Sequence, residues 1–324
     1  MIVGTVTLNP ALDREFIIQN FCANSLHRIY DRDKINMDPG GKGINVSMML
    51  ASLGIPSTAM GFIGGYIGRV ISEELRKRYR SITVNFVHME EESRENISIF
   101  DEEKHTITEI NAPGPQVSED DLQHFLKRYH SFCSHSNLIL ISGSVPLGIP
   151  LNIYGTLSQI AQERNNSVFM EARGKLLTQS SMQACPMVVR PDMRSDQKIL
   201  GQHVECLDDY FDAGKELIRR GAQLVVISYK TLQDVIVTRE GNWVFSIRDE
   251  EVDFSHLLGT GDAFMAGMIY YYLKRKQTEA LDYLKMAHFG MASALAKTHR
   301  IKKEMPPVEE INQTMDHIAI ERMN

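Results

Sequence analysis

From Glu119 to Ser228 the chain alternates amphipathic helical patterns with short apolar runs rich in β-branched residues. The helical patterns fall at Asp120–Phe132, Leu151–Arg164, Leu176–Gln183 and Asp208–Arg220; the apolar runs fall at Leu138–Ser142, Ser167–Met170, Met187–Arg190 and Leu224–Ser228. Alternation of this kind predicts an α/β fold with a mainly parallel central sheet and helices on both faces. Val235–Thr238 and Trp243–Ile247 extend it as a β-meander at one edge, and Glu279–Lys297 is a last long helix.

The first third is less regular. Ile2–Leu8 is a buried strand stopped by Asn9-Pro10, Ser57–Ile63 is a second strand, and Ile67–Tyr79 is a helix. Arg14–Ile18, His27–Met37, Ile82–His88, Arg94–Asp101 and His105–Ile110 are strand-like, the last two forming a hairpin around Glu102-Glu103-Lys104. No repeat, low-complexity tract or linker divides the 324 residues. The expectation is one domain over 1–324, with a small β-sheet lid drawn from about 14–37 and 82–110.

Hydrophobic residues make up 43%, enough for a core, and 35 basic against 41 acidic residues give a net charge of −6. No Lys/Arg block points to nucleic acid; Arg76-Lys77-Arg78 and Lys302-Lys303 read as solvated surface. No apolar run reaches membrane-spanning length, and Met1 opens directly into a strand without a signal-like segment. Cys22, Cys133, Cys185 and Cys206 are scattered, without C-x-x-C or metal spacing. A soluble, cytoplasmic protein with reduced thiols is expected.

Chemistry concentrates at Gly259-Thr260-Gly261-Asp262, between the strand-like Val252–Leu258 and the apolar helix Ala263–Leu273. Glycines at a helix start let free N–H groups meet an anion. A carboxylate there would repel a phosphate, unless it takes a proton from a hydroxyl while the amides hold the charge building on a phosphoryl group. The bland alternative is an Asp capping its own helix. Pro39-Gly40-Gly41-Lys42-Gly43-Ile44-Asn45-Val46 is a second anion cradle at a helix start, or else a flexible turn; it lacks Walker spacing. Asp13 sits at the carboxyl end of the first strand, where ligands of open α/β sheets gather, or stabilises the turn. Arg94 suits bidentate phosphate binding, or an ion pair with the acidic run Glu90–Glu92.

Six segments in this order resemble the PfkB carbohydrate kinase family of the ribokinase-like fold: Thr7-Leu8-Asn9-Pro10-Ala11-Leu12-Asp13, Gly40–Val46, Ser93-Arg94-Glu95-Asn96-Ile97, Thr108–Asn111 with Gly114-Pro115, Ser142–Pro146 and Gly259–Asp262. The branch they are most similar to contains the 1-phosphofructokinases and tagatose-6-phosphate kinases. The resemblance implies a roughly nine-stranded α/β domain with a β-sheet lid that, in many relatives, forms a dimer interface. It implies transfer of the ATP γ-phosphate, with Mg²⁺, to a hydroxyl of a sugar phosphate: fructose 1-phosphate to fructose 1,6-bisphosphate first, tagatose 6-phosphate as the alternative acceptor. Asp262 would be the base, and the amides of Gly259, Thr260 and Gly261 the anion hole. Asp13, Gly41 and Asn45 would hold sugar hydroxyls, Lys42 and Arg94 the substrate phosphate, and Ser142 would line the same cleft. Arg190, Asp192, Ser228 and Lys230, with Gly261, fall on the nucleotide side.

Two segments depart from the family. Lys-Pro-Asn-x-x-Glu, tied to magnesium and nucleotide phosphates, is Arg190-Pro191-Asp192-Met193-Arg194-Ser195 here; the nucleotide loop Ser-x-Gly-x-x-Gly is Ser228-Tyr229-Lys230-Thr231-Leu232-Gln233. Glu171 stands where relatives often carry Asp, and Thr260 where they usually carry Ala. No metal ligand is assigned. These departures support a second class of reading, a kinase-derived sensor of nucleotide or sugar phosphate with little turnover. A dinucleotide oxidoreductase is disfavoured, since the glycine fingerprint is absent.

Overall fold

The structure is a computed structural model that describes residues 1–194, 197–248, 258–275, 281–300 and 303–323. The expected strand Val252–Leu258 lies outside the described residues apart from Leu258, as does Ser195.

In chain order, β1 (Val3–Thr7) leads into β2 (Ala11–Ile18) and β3 (Ile35–Gly40), then α1 (Lys42–Ser52), β4 (Ser57–Gly64), α2 (Gly65–Arg78) and β5 (Ile82–Met89). The hairpin β6 (Arg94–Asp101) and β7 (Thr106–Asn111) follows, then α3 (Glu119–Cys133), β8 (Leu138–Ser142), α4 (Ile153–Glu163), β9 (Ser167–Ala172), α5 (Gly174–Gln183) and β10 (Val188–Pro191). After a small hairpin, β11 (Lys198–Ile199) and β12 (Gln202–His203), come α6 (Leu207–Arg220), β13 (Leu224–Lys230), β14 (Gln233–Thr238) and β15 (Gly241–Ile247). The chain closes with α7 (Thr260–Arg275), α8 (Tyr283–Thr298), α9 (Val308–Thr314) and β16 (Ile318–Met323).

Ten strands form one sheet in the order β16-β15-β14-β13-β10-β9-β8-β1-β4-β5. From β13 to β5 every pair is parallel, while β14, β15 and β16 run antiparallel at the other edge. The inner parallel strands β1, β4, β8 and β9 are buried on both faces, which is why they read as largely apolar runs. In β8, Ile139 and Ile141 pack into the core shared with Phe125 and Tyr129 of α3, whereas Leu138 and Leu140 face the core of α7 and α8. At the start of α3, Ser118 Oγ accepts from Asp121 N at 3.1 Å ahead of three acids in the first turn.

The lid is a four-stranded sheet, β3-β2-β6-β7. Its membership corrects two expectations. Ile82–Met89 pairs with β4 in the central sheet, burying Phe86 and Val87. The strand expected over His27–Met37 begins only at Ile35, because Asp31 caps a 3-10 turn over Arg32–Lys34 by accepting from Asp33 N. β2 follows β1 after three residues, so the lid is rooted directly at the carboxyl edge of the sheet.

Candidate active site

A cleft of ≈ 860 Å³ lies between the lid, the carboxyl ends of the parallel strands and the amino ends of α1 and α7. At this edge β4, β8 and β9 hand over to helices, and β1 and β5 hand over to the lid.

Gly259 takes φ +79°, a backbone state that costs an L side chain, and sets the start of α7. Ala263 N donates to Gly259 O at 2.9 Å, an i→i−4 bond in the first turn of α7. Asp262, in that first turn and 6% exposed, accepts from Asn45 Nδ2 of α1 at 2.7 Å. Burial raises the Asp262 pKa above the ordinary carboxylate value, against the opposing pull of Lys42; Glu171 adds to the rise, and the Asn45 bond opposes it. Gly41, with φ +106°, starts α1, and a Cβ there would come within 2.6 Å of Thr7 Cγ2.

Asp13 Oδ1 accepts from Asn96 Nδ2 at 2.9 Å and Oδ2 from Lys303 Nζ at 2.7 Å. Arg94 donates from Nε (3.2 Å) and Nη2 (2.9 Å) to Asn9 O and from Nη1 (3.0 Å) to Ala112 O. Among the described residues it forms neither a carboxylate pair nor the suggested contact with Glu90–Glu92, and Glu95 pairs with Arg14. Arg94 lines the cleft with two of its five N–H groups uncommitted in these bonds.

Lys42 Nζ lies 2.7 Å from Glu171 Oε1 and 3.4 Å from Asp192 Oδ2. Burial works against ionisation of Asp192, yet Lys42 and Arg194 outweigh it and hold this carboxyl well below its usual range. Arg190 bonds Glu171 Oε1 at 2.8 Å and Ser228 Oγ at 3.1 Å, with its guanidinium 5.3 Å over the Phe264 ring. A Cβ on Gly261 would meet Arg190 Nη1 at 3.1 Å, so the cation lies directly under the start of α7.

The cleft therefore gathers Asp13, Gly41, Lys42, Asn45, Arg94, Asp192, Gly259 and Asp262. Thr260 and Gly261 stand at the same helix start. Four expected residues are placed otherwise. Ser142 is fully buried at the end of β8, and Gly143 and Ser144 line the cleft in its place. Ser228 and Arg190 hold each other behind the helix start. Lys230 is exposed beyond a register shift in β13, its ammonium 4.9 Å over the neighbouring Tyr229 ring.

Sequence patterns missed Lys303 and Arg78, taken for solvated charge; both line the cleft, on Asp13 and Asp38 respectively. No local signal marks them, because their partners lie far off in the chain. Asn96 Oδ1, Asn9 Oδ1, Asn45 Oδ1 and Glu171 Oε2 are buried without a protein hydrogen-bond partner. Four such atoms around one cleft are what a polar ligand would satisfy.

Among the described residues, no group of three or more His, Cys, Asp or Glu is assembled to hold a metal ion. Glu171 and Asp192 are both neutralised by Lys42, Arg190 and Arg194, so they do not fit the role of inner-sphere ligands to Mg²⁺. Also among the described residues, no helix is long and apolar enough to cross a membrane.

A sheet whose carboxyl edge carries a buried carboxylate at a glycine-set helix start, under a β lid, defines a phosphotransferase of the ribokinase-like class. The chain belongs to the pfkB family of carbohydrate kinases, whose signature it matches over residues 20–302. It is thus an enzyme, a carbohydrate kinase. The crystal structure called "possible 1-phosphofructokinase" from Thermotoga maritima is 47% identical with a TM-score of 0.94, covering 100% of both chains. The 1-phosphofructokinase of Bacillus subtilis is 26% identical over 321 residues, 99% of this chain and 100% of the relative. Ribokinase of Thermotoga maritima, at 16% identity and a TM-score of 0.72 over 98% and 99% of the two chains, shares the fold.

Proposed function

We propose that this enzyme transfers the γ-phosphoryl group of ATP to a hydroxyl of a phosphorylated ketohexose, with fructose 1-phosphate as acceptor and fructose 1,6-bisphosphate as product. The observation that carries this is the bond between Asp262 and Asn45, which joins the two glycine-led helix starts in the same cleft as Asp13. The names borne by relatives of full length support it.

Asp262 takes the hydroxyl proton, and the amides of Gly259, Thr260 and Gly261 hold the charge on the migrating group. Asp13, Gly41 and Asn45 orient the sugar hydroxyls. The two uncommitted Arg94 N–H groups and the remaining Lys42 donor bind the phosphate already on the sugar. Arg190 and Asp192 act on the nucleotide side through Lys42 and the start of α7. Mg²⁺, if used, would be held by nucleotide oxygens and water rather than by Glu171 or Asp192, and would supply neutralising charge at the phosphates. The lid is the proposed face for a homodimer.

The test is coupled ADP release over fructose 1-phosphate, fructose 6-phosphate, tagatose 6-phosphate and unphosphorylated fructose, with ³¹P NMR of the product. Fructose 1-phosphate is expected to give the highest kcat/KM. A higher value for tagatose 6-phosphate moves the acceptor, and binding without ADP release from any sugar supports the sensor that the altered 190–195 and 228–233 segments suggest.

The cradle at Gly40 supplies a sharper check on Asp13. A Cβ on Gly40 would lie 2.0 Å from Asp13 Oδ2. Gly40→Ala is therefore expected to displace that carboxylate and raise the KM for the sugar phosphate roughly tenfold, about 1.4 kcal/mol of lost binding. An unchanged KM in steady-state kinetics removes Asp13 from sugar binding.

A further inference from the structure

Lys297, in the last turn of α8, is 1% exposed. Its ammonium donates to Arg300 O at 2.7 Å and Leu258 O at 3.4 Å. Among the described residues no carboxylate lies within ion-pair distance of it. Removing a lysine charge from water without a carboxylate partner is unfavourable, and burial pushes the Lys297 pKa down to about 8. Asp262 pulls the other way, Lys303 and Arg300 lower it further, and Glu15 raises it. An apolar side chain would fill this place at less cost, so stability does not explain the residue.

Its two acceptors do. Leu258 is the residue immediately before Gly259, and Arg300 lies just beyond α8. The ammonium thus clips the entrance of the α7 turn to the exit of α8. We propose that Lys297 is a positioning residue: by tying the Leu258 carbonyl to the Arg300 carbonyl, it fixes the backbone turn that aims the Gly259–Gly261 amides at the migrating phosphoryl group. This rests on the anion-hole role proposed above.

The test compares wild type with Lys297→Met, which keeps the apolar stem and removes the charge. The variant is expected to lose kcat by about 10²-fold, the cost of roughly an ångström of misplacement at a reacting centre. Its sugar-phosphate KM is expected to stay near wild type and its melting temperature unchanged or raised. Hydrogen exchange at the amides of 259–263 is expected to quicken, with β1 unaffected. Exchange needs no substrate: it decides the tether even if wild type phosphorylates none of the sugars offered, an outcome that would sink the functional proposal alone. Unchanged exchange, or a lowered melting temperature with kcat intact, overturns the proposal. Should Lys297→Met fail to fold, wild type still answers. Its kcat is expected to fall as pH rises through about 8 and the ammonium is lost; a level profile well above that value overturns the tether.

Discussion

Asp262→Asn is expected to reduce kcat by roughly 10²–10⁴-fold while ATP still binds, because the amide keeps the shape of the carboxylate and cannot accept a proton. The substitution also keeps a partner for Asn45 across the two helix starts, so a fall in turnover would report chemistry rather than collapse. Isothermal calorimetry with ATP and ADP release with the sugar phosphate measure the two halves of the claim. Near-normal turnover removes Asp262 from the role of base. The pH dependence gives a second readout. A base works ionised, so activity is lost as pH falls through its pKa. Burial lifts that pKa, so the acid limb of kcat/KM is expected above the ordinary aspartate value of about 3.9. An acid limb at the ordinary value would show that another group titrates.

The second large effect concerns stability. Glu171 is 1% exposed and bonds both Lys42 Nζ and Arg190 Nη1 through Oε1. Glu171→Ala leaves two cations in a buried place without that partner, a loss of about 3–5 kcal/mol. Urea denaturation near neutral pH measures it, and a loss under about 1 kcal/mol would mean that water screens the pair. Burial raises the Glu171 pKa, but Lys42 and Arg190 outweigh it, and the folded value is depressed. Stability from this carboxylate is therefore present above its unfolded pKa and lost as pH falls through the lower folded one. The gap between wild type and variant is expected to close in acid.

The α/β architecture was legible because strands buried on both faces alternate with helices of clear period, as Leu138–Ser142 and Leu224–Ser228 illustrate. Edge strands were not. β5 alternates exposure along its length, so it resembles a lid strand, and Ile318–Met323 is mostly exposed and mixed in character. The glycine-led helix starts announced themselves through local composition. Their surroundings did not: Lys303 reaches Asp13 across 290 positions, and no window of sequence holds both. Ser142 closes β8 with its side chain buried, and the cleft is lined by Gly143 and Ser144, just past the strand end. The ion network of Lys42, Glu171, Arg190 and Asp192 was visible only as unusual residues, since charge pairing needs two strands, β9 and β10, and the start of α1 brought side by side.

That long reach has a kinetic meaning. Asn45 meets Asp262 across 217 positions and Asp13 meets Lys303 across 290, so the ends of the chain close one ring of contacts. Such distant closures form slowly and late. A refolding chain would regain its helices well before it regained turnover, and no fragment lacking either terminus could carry both halves of the chemistry.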